Sequence, residues 1–358
     1  MAVYIQSGAI ISPQHTHDAV DFPAVIHSDV SDRLNCIEPE YRTLINPLLL
    51  RRMPRILKMG LGAAQLCISR SECTNPDGII VGTGLGCLDN LEKFLLDVID
   101  NNEEVTSVLP FINSTHNAVA AQIAMLLKNQ KYNTTYCHRN FSFETALLDG
   151  MMLVEENRAN HILVGGIDEC TGDYILIHRY LGTWKDPLNN LELFSSPTPG
   201  TIAGEGAGFF MLGGKKSENT GSVRLVGVHT FLTPELVNEM EITARIMSFL
   251  SKHSMDTGDI DGVIMGFSGD SKTDSIYNYL AGELFGDQTI LGYKHLCGEY
   301  YTSGAFALWL ASVIAGKEKI PEILLMSSLI KTPLKTILIY NQLNSTEHSL
   351  ICLKYDRL

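Results

Sequence analysis

The side chains best suited to covalent chemistry sit in the stretch KYNTTYCHRNFSFETALLDG, residues 131–150. Positions 137–142 alone hold a thiol (Cys137), an imidazole (His138), a carboxamide (Asn140) and a hydroxyl (Ser142). A thiolate next to an imidazole can take an acyl group as a thioester, with the imidazole as base. Ser142 or Asn140 would then polarise the carbonyl under attack, and His116 is a second candidate base. The blander reading of His116 is a side chain that satisfies backbone groups near a subunit interface. Metal chemistry has no comparable support. The eight cysteines (36, 67, 73, 87, 137, 170, 297 and 352) contain no C-x-x-C pair and no metal-ligand spacing. With no secretory signal, they read as reduced thiols of a cytoplasmic protein.

These residues must be positioned by the elements around them. The aromatic and β-branched run at 132–136 predicts a strand, followed by a sharp turn and a helix over about 142–157. The start of such a helix offers free backbone N–H groups and a partial positive charge, which favour a thiolate or an oxyanion. The helix leads into an apolar strand, 161–164, that ends in Gly165 and Gly166. The run DGIIVGTGLG at 77–86 contains G-x-G-x-G, but no acidic residue follows at a second strand end about 20 residues on. A dinucleotide site is therefore not expected, and no cofactor is. A similar D-G-x-x-x-G run recurs at 261–266; opening strands are expected at 3–11 and 223–230, and late apolar strands at 161–164 and 322–327. The recurrence implies an internal duplication into halves 1–215 and 221–358, joined by a polar linker at 215–221.

Composition bounds the partners. A chain of 358 residues with 45% hydrophobic content and 30 glycines fits a large α/β protein rich in strand-to-helix turns. A formal charge of −13 argues against nucleic acid and anionic membrane. The apolar run at 2–11 is too short to span a bilayer and lacks a basic flank, so it is a first core strand. Against this acidic background Arg51, Arg52, Arg55 and Lys58 stand within one stretch of eight residues. They read either as a docking patch for an acidic partner or as a solvated, salt-bridged helix face. His15 and His17, in the polar segment 14–44, read as parts of a solvated loop more readily than as ligands.

Several motifs carry a resemblance. Gly204-Glu205-Gly206-Ala207-Gly208 runs into an apolar strand, Ser12-Pro13 follows the first strand, and Arg51-Arg52-Met53 opens a helix. With Ala146-Leu147, Asp149 and Gly165-Gly166 they resemble the β-ketoacyl-acyl-carrier-protein synthases, condensing enzymes of the thiolase fold. The resemblance implies an α/β protein of two pseudo-symmetric halves in an α-β-α-β-α layered core. It also implies acyl groups delivered on the phosphopantetheine of an acyl carrier protein, docked at Arg51, Arg52, Arg55 and Lys58, and a dimer. In the dimer Tyr132, Asn133, Thr134, Thr135 and Tyr136 pair across the twofold, with Thr115, His116 and Asn117 close by.

The same resemblance places the catalysts, and here the chain departs from the family. Asn140 stands where the nucleophilic cysteine belongs. In the segment 266–274, Gly269 and Asp274 match but Ser268 replaces the first catalytic histidine; at 293–299, Lys294 and Gly298 match but Glu299 replaces the second. The family's glycine-rich turn near the C-terminus is not visible in 341–348. An amide cannot form a thioester, and a carboxylate at 299 repels a developing enolate. Lys294 is expected to pair with Glu299 or Asp270 as a structural bridge. No catalytic residue is therefore expected. The chain resembles the chain-length factors that accompany active ketosynthases in fatty-acid or polyketide-type pathways, aryl-polyene and flexirubin-type among them. It would act as a homodimer or as a heterodimer with such a ketosynthase. The alternative is an active 3-oxoacyl synthase or acyltransferase that uses Cys137, with the turn shifted by three residues.

Overall fold

The strands of the main sheet fall into two sets of five, apart from two small two-stranded ladders. β1 (Val3–Ile11), β2 (Gly78–Gly82), β3 (Tyr132–Tyr136), β4 (His161–Asp168) and β5 (Gly206–Gly213) form the first. β6 (Ser222–Leu232), β7 (Gly262–Met265), β8 (Thr289–Gly292), β9 (Thr336–Leu343) and β10 (Glu347–Asp356) form the second. The computed structural model describes residues 1–104, 107–196, 198–216, 221–234 and 238–357. Of the expected linker at 215–221, residues 217–220 lie outside the described residues.

All ten strands join one ladder, in the order β8-β7-β9-β10-β6-β1-β5-β4-β2-β3. Counted inward from its edge, each set has the same arrangement, 3-2-4-5-1 for the first and 8-7-9-10-6 for the second. The pairing repeats too: β2 is parallel to β3 and β4, β7 is parallel to β8 and β9, and the remaining contacts are antiparallel. The repeat anticipated from the sequence is thus present in the topology, with one correction. Residues 322–327 are not the late strand of the second set: Glu322–Leu324 is a 3-10 turn, and β9 takes that place. The apolar run instead covers the outer edge of β8, where Met326 N–H donates to the Ile290 carbonyl at 2.9 Å and Ile290 N–H to Ser327 Oγ at 3.1 Å. No such cover exists among the described residues for β3, at the opposite edge.

The helices are α1 (Arg55–Ser69), α2 (Leu88–Asp100), α3 (Val108–Asn113), α4 (Ala118–Leu127) and α5 (Ser142–Glu155), then α6 (Gly172–Tyr180), α7 (Glu239–Lys252), α8 (Ser275–Tyr279) and α9 (Gly304–Ile314). Their apolar faces assign the layers. α1 and α4 pack on the outer side of the first strand set, α7 and α8 on the outer side of the second. α5 and α9 share one core with strands of both sets. α9 is apolar all round (Gly304 to Ala311 and Ile314 are all buried), as expected of a helix with sheet on both sides. The result is an α-β-α-β-α stack. Among the described residues no helix is long and apolar enough to cross a membrane.

Register then fixes where chemistry can occur. Gly82 lies opposite Tyr136 and Gly166, and Met265 opposite Gly292 and Tyr340, so the parallel strands of each set end on one line. The segments that leave those ends carry Thr83, Cys137 to Asn140, Asp168, Ser268 and Lys294 to Glu299. Crevices at the carboxyl ends of parallel strands are where α/β folds hold ligands.

Candidate functional site

The chain leaves β3 at Tyr136, turns through residues 137–141 and enters α5 at Ser142. Arg139 adopts a left-handed conformation, φ 48°, which sharpens the turn. Ser142 fastens it: its Oγ accepts from the His138 N–H at 2.8 Å and donates to the Arg139 carbonyl at 2.7 Å. That hydroxyl is engaged in the backbone and does not point at a substrate. Gly82, at the end of β2, has room for no side chain, because an added Cβ would strike the Ser142 carbonyl. The residue at the apex beside the helix start is Asn140, buried at 1% exposure, with its Nδ2 unpartnered.

Cys137 sits three residues earlier, where the turn begins, and is exposed. Its Sγ is 3.6 Å from the Gly84 carbonyl, and partial burial together with the Asp168 carboxylate pushes the thiol up from its ordinary value. An activated nucleophile needs the opposite shift. The His138 ring packs edge-on against Phe141 at 5.8 Å, and His116 is an exposed side chain lying against Gly86.

The second strand set contributes a buried ionic cluster. Asp274 accepts from the Ser268 N–H and Oγ and from the Gly269 N–H, at 2.7–3.1 Å, so Ser268 serves as a clamp on that carboxylate. Lys294, fully buried, pairs with Glu299 at 2.5 Å. Asp270 takes no part, since it accepts from the Lys272 N–H. Burial raises Glu299 and Asp274 above the usual carboxylate range, while Lys294 pulls both back. A third carboxyl, Glu144 on the first turn of α5, faces the same ammonium. Burial pushes it up to about 7 against its own backbone N–H, Ser349 and Lys294. One lysine therefore lies among three acids and is in contact with one of them, Glu299. An enolate formed beside Glu299 would meet like charge; at roughly 4 Å and an effective dielectric near 20 that costs on the order of 4 kcal/mol.

The G-E-G-A-G segment closes the site from behind. Glu299 is held through its backbone, donating to Ile202 at 2.8 Å and accepting from Gly204 at 2.9 Å, and Thr201 Oγ1 donates to the Ser268 carbonyl at 2.6 Å. An added Cβ at Gly204 would collide with the Cys297 carbonyl, so only glycine permits this approach. Glu205 is wholly buried and takes both terminal nitrogens of Arg55, at 2.5 and 2.6 Å, together with the Cys36 N–H. Arg55 Nε also pairs with Glu38 at 2.5 Å. Arg55 is thus half-buried and committed to two carboxylates, while Arg51 and Arg52 are exposed and Lys58 is half-buried. Arg42, Arg51 and Lys58 border a surface depression of about 600 Å³.

His17, expected in a solvated loop, is largely buried, with Nε2 3.1 Å from Asp18; His15 is exposed. Asp168, which sequence reading passed over, ties the halves together. Its carboxylate accepts from Thr83, Gly84, Leu85 and Thr302 at 2.8–3.0 Å, and burial pushes it up to about 6. The G-G-x-D ending of β4 was the available signal. Glu144, Glu347 and Ser349 lie in no motif.

Tyr132, Asn133, Thr134, Thr135 and Tyr136 form the open sheet edge, exposed at its start and half-buried beyond. The Tyr132 and Tyr136 hydroxyls both reach Asp149, and Leu148 and Met152 on the same helix are exposed. Thr115, His116 and Asn117 are exposed, beside α2 and α3, which present Leu95, Leu96, Ile99, Leu109, Phe111 and Ile112 to the surface.

No protein-family model matches the sequence, and no curated protein matches it. Solved structures do match over the full length. One is described as the ishigamide ketosynthase/chain length factor, at 16% identity and TM-score 0.75 over 99% of each chain. A β-ketoacyl synthase from Burkholderia phymatum STM815 gives 14% identity and TM-score 0.77 over 100% of this chain and 99% of that one. A type II polyketide synthase acyl-carrier protein in complex with its ketosynthase gives 14% and 0.74, over 99% and 98%. The fold is that of the thiolase-like ketosynthases and chain length factors.

Proposed function

We propose that this chain is a catalytically silent ketosynthase-like subunit of the chain-length-factor kind, pairing with an active ketosynthase in fatty-acid or polyketide-type chain synthesis. The observation that carries the reading is the buried carboxamide of Asn140 at the elbow where a thiolate would have to stand. Two further features support it. Ser268 and Glu299 are committed to Asp274 and Lys294, so neither position offers a free donor to an enolate. The two sheet edges are treated unequally: the chain covers β8 and leaves β3 open, next to exposed apolar helix faces. An uncovered edge of this kind is a template for a second chain. The partner is a ketosynthase or a second copy, and the pair works in the cytoplasm on acyl groups carried by the phosphopantetheine of an acyl carrier protein. That carrier, acidic, meets Arg51, Arg52 and Lys58. Pathways that make aryl-polyene or flexirubin-type chains are natural settings.

Co-expression with a candidate active ketosynthase tests the pairing. The two chains should co-elute at the mass of a dimer, and chain elongation from malonyl-carrier should require both. Elongation by the ketosynthase alone, at the same rate and to the same product length, refutes the role.

A further inference from the structure

The two ends of α9 face different cavities. Its first turn lies against the elbow helix, since an added Cβ at Gly304 would strike the Glu144 carboxylate. Its last turn, eleven residues and roughly 16 Å further on, borders a cleft of about 520 Å³. That volume is in the range of pockets that hold small molecules. The cleft runs along the seam between the halves. β1 and Arg70, just past α1, come from the first half; the start of β6, the end of α9 and Tyr355 of β10 come from the second. Glycines at 221 and 316 make room for the Tyr355 ring, with which a Cβ at either position would collide.

Arg70 sets the chemistry of this cleft. A guanidinium has five N–H groups. Here Nη1 donates to the Gly8 carbonyl at 3.1 Å and Nη2 to the His17 carbonyl at 2.6 Å. Among the described residues Arg70 forms no ion pair, and the nearby Asp18 is turned to His17 Nε2 at 3.1 Å instead. The side chain is half-buried, so burial pulls the guanidinium below its ordinary value. Three N–H groups and an uncompensated charge are left for the cleft. The other two charges that line it cancel: Lys317 Nζ meets Asp21 at 2.8 Å, with both side chains more than half exposed. The segment 17–21 is thereby tied to Arg70 through His17 and to the end of α9 through Asp21. Val20, 78% exposed, lies between these ties and lines the cleft. Much of the remaining wall is apolar, from Ile5, Val223, Val313 and Trp309.

We propose that this seam cleft binds a small organic carboxylate, its charge on Arg70 and its apolar body against Ile5, Val223, Val313 and Trp309. The planar fork of a guanidinium matches the two oxygens of a carboxylate, and such charge-assisted pairs are the strong ones. One unbalanced positive charge in the lining suits one negative charge on the ligand. A dianion would leave a charge against the apolar wall, and a neutral ligand would leave Arg70 without a counter-ion. The cleft sits at the far end of α9 from the elbow. The inference therefore goes beyond the silent-subunit reading, and either can fail without the other.

The test titrates octanoate into the full-length chain by isothermal titration calorimetry. Octanol, which lacks the charge, and acetate, which lacks the apolar body, are titrated in parallel. Two variants accompany the wild type. Arg70→Gln removes the cation, and Val20→Glu sets a carboxylate at the cleft from a side chain exposed enough to leave the fold intact. Octanoate should bind the wild type with one molecule per chain. Octanol and acetate on the wild type, and octanoate on each variant, should bind more weakly by on the order of tenfold or more, the worth of a hydrogen bond to a charged group. No binding of octanoate at millimolar concentration overturns the proposal, as does octanol binding equally well. Octanoate binding that survives in both variants places the ligand elsewhere and also overturns it. Loss in Arg70→Gln with full binding in Val20→Glu marks a folding defect, the ties to Gly8 and His17 having gone, and overturns it too.

Discussion

Glu144→Gln isolates the electrostatic cost stored at the centre of the site. The glutamine keeps the shape of the side chain and an oxygen for Ser349, and removes only the ionisation. Burial raises the Glu144 carboxyl from 4.5 to about 7 in the folded chain. Because the folded value lies above the unfolded one, this group favours the fold fully below pH 4.5, and the contribution disappears as pH rises through 7. A shift of that size corresponds to on the order of 3 kcal/mol between the two limits. The stability of Glu144→Gln relative to wild type should therefore be flat below about pH 4.5 and climb between pH 5 and 8. The total gain should be on the order of 3 kcal/mol, several degrees of Tm. Other groups titrate in the same window. Asp168 and Glu169 are pushed up to about 6 and about 7 by burial, and His295 and His348 are pushed down to about 4. They shape both curves alike and cancel in the difference. Urea denaturation at half-unit intervals of pH gives the two curves directly. If they run parallel from pH 5 to 8, the buried carboxyl is not being ionised against the fold, and the view of three acids around one lysine is wrong.

Lys294→Met should cost about 3–5 kcal/mol near pH 8 by stranding Glu299 and Asp274. The loss should shrink as pH falls and the stranded acids protonate, and urea titrations at pH 8 and at successively lower pH check it. Arg51→Glu with Arg52→Glu should weaken binding of an acyl carrier protein at least tenfold by surface plasmon resonance, with Tm unchanged; Arg55→Ala should instead lower Tm, because it strands Glu205. Leu148→Glu with Met152→Glu, next to the open edge of β3, should convert the proposed dimer to monomer in light scattering at constant Tm. A dimer that survives this pair of charges places the interface elsewhere.

What the sequence disclosed follows from how local each signal was. The strand, elbow and α5 were legible because an aromatic, β-branched run gives way within a few residues to polar turn residues and then to helix. The buried Glu205 was legible because glycines on both sides of an acid leave little else to expect. Its partner was not: Arg55 lies 150 residues away and looked like one of four clustered surface cations. The apolar run at 322–327 had the composition of a strand, yet its chain covers the edge of β8, and only the repeat topology shows that Thr336–Leu343 completes the second set. Glu144 was invisible for a similar reason, since its partner Ser349 lies 205 residues away.

The central claim is that no side chain of this protein carries an acyl group. Purified wild-type chain, incubated with its active ketosynthase partner and acyl-loaded carrier protein and then resolved by intact-mass and peptide mass spectrometry, tests it most directly. The account predicts the acyl mass on the partner ketosynthase and an unmodified mass for this chain. A stoichiometric acyl adduct mapped to Cys137 contradicts it.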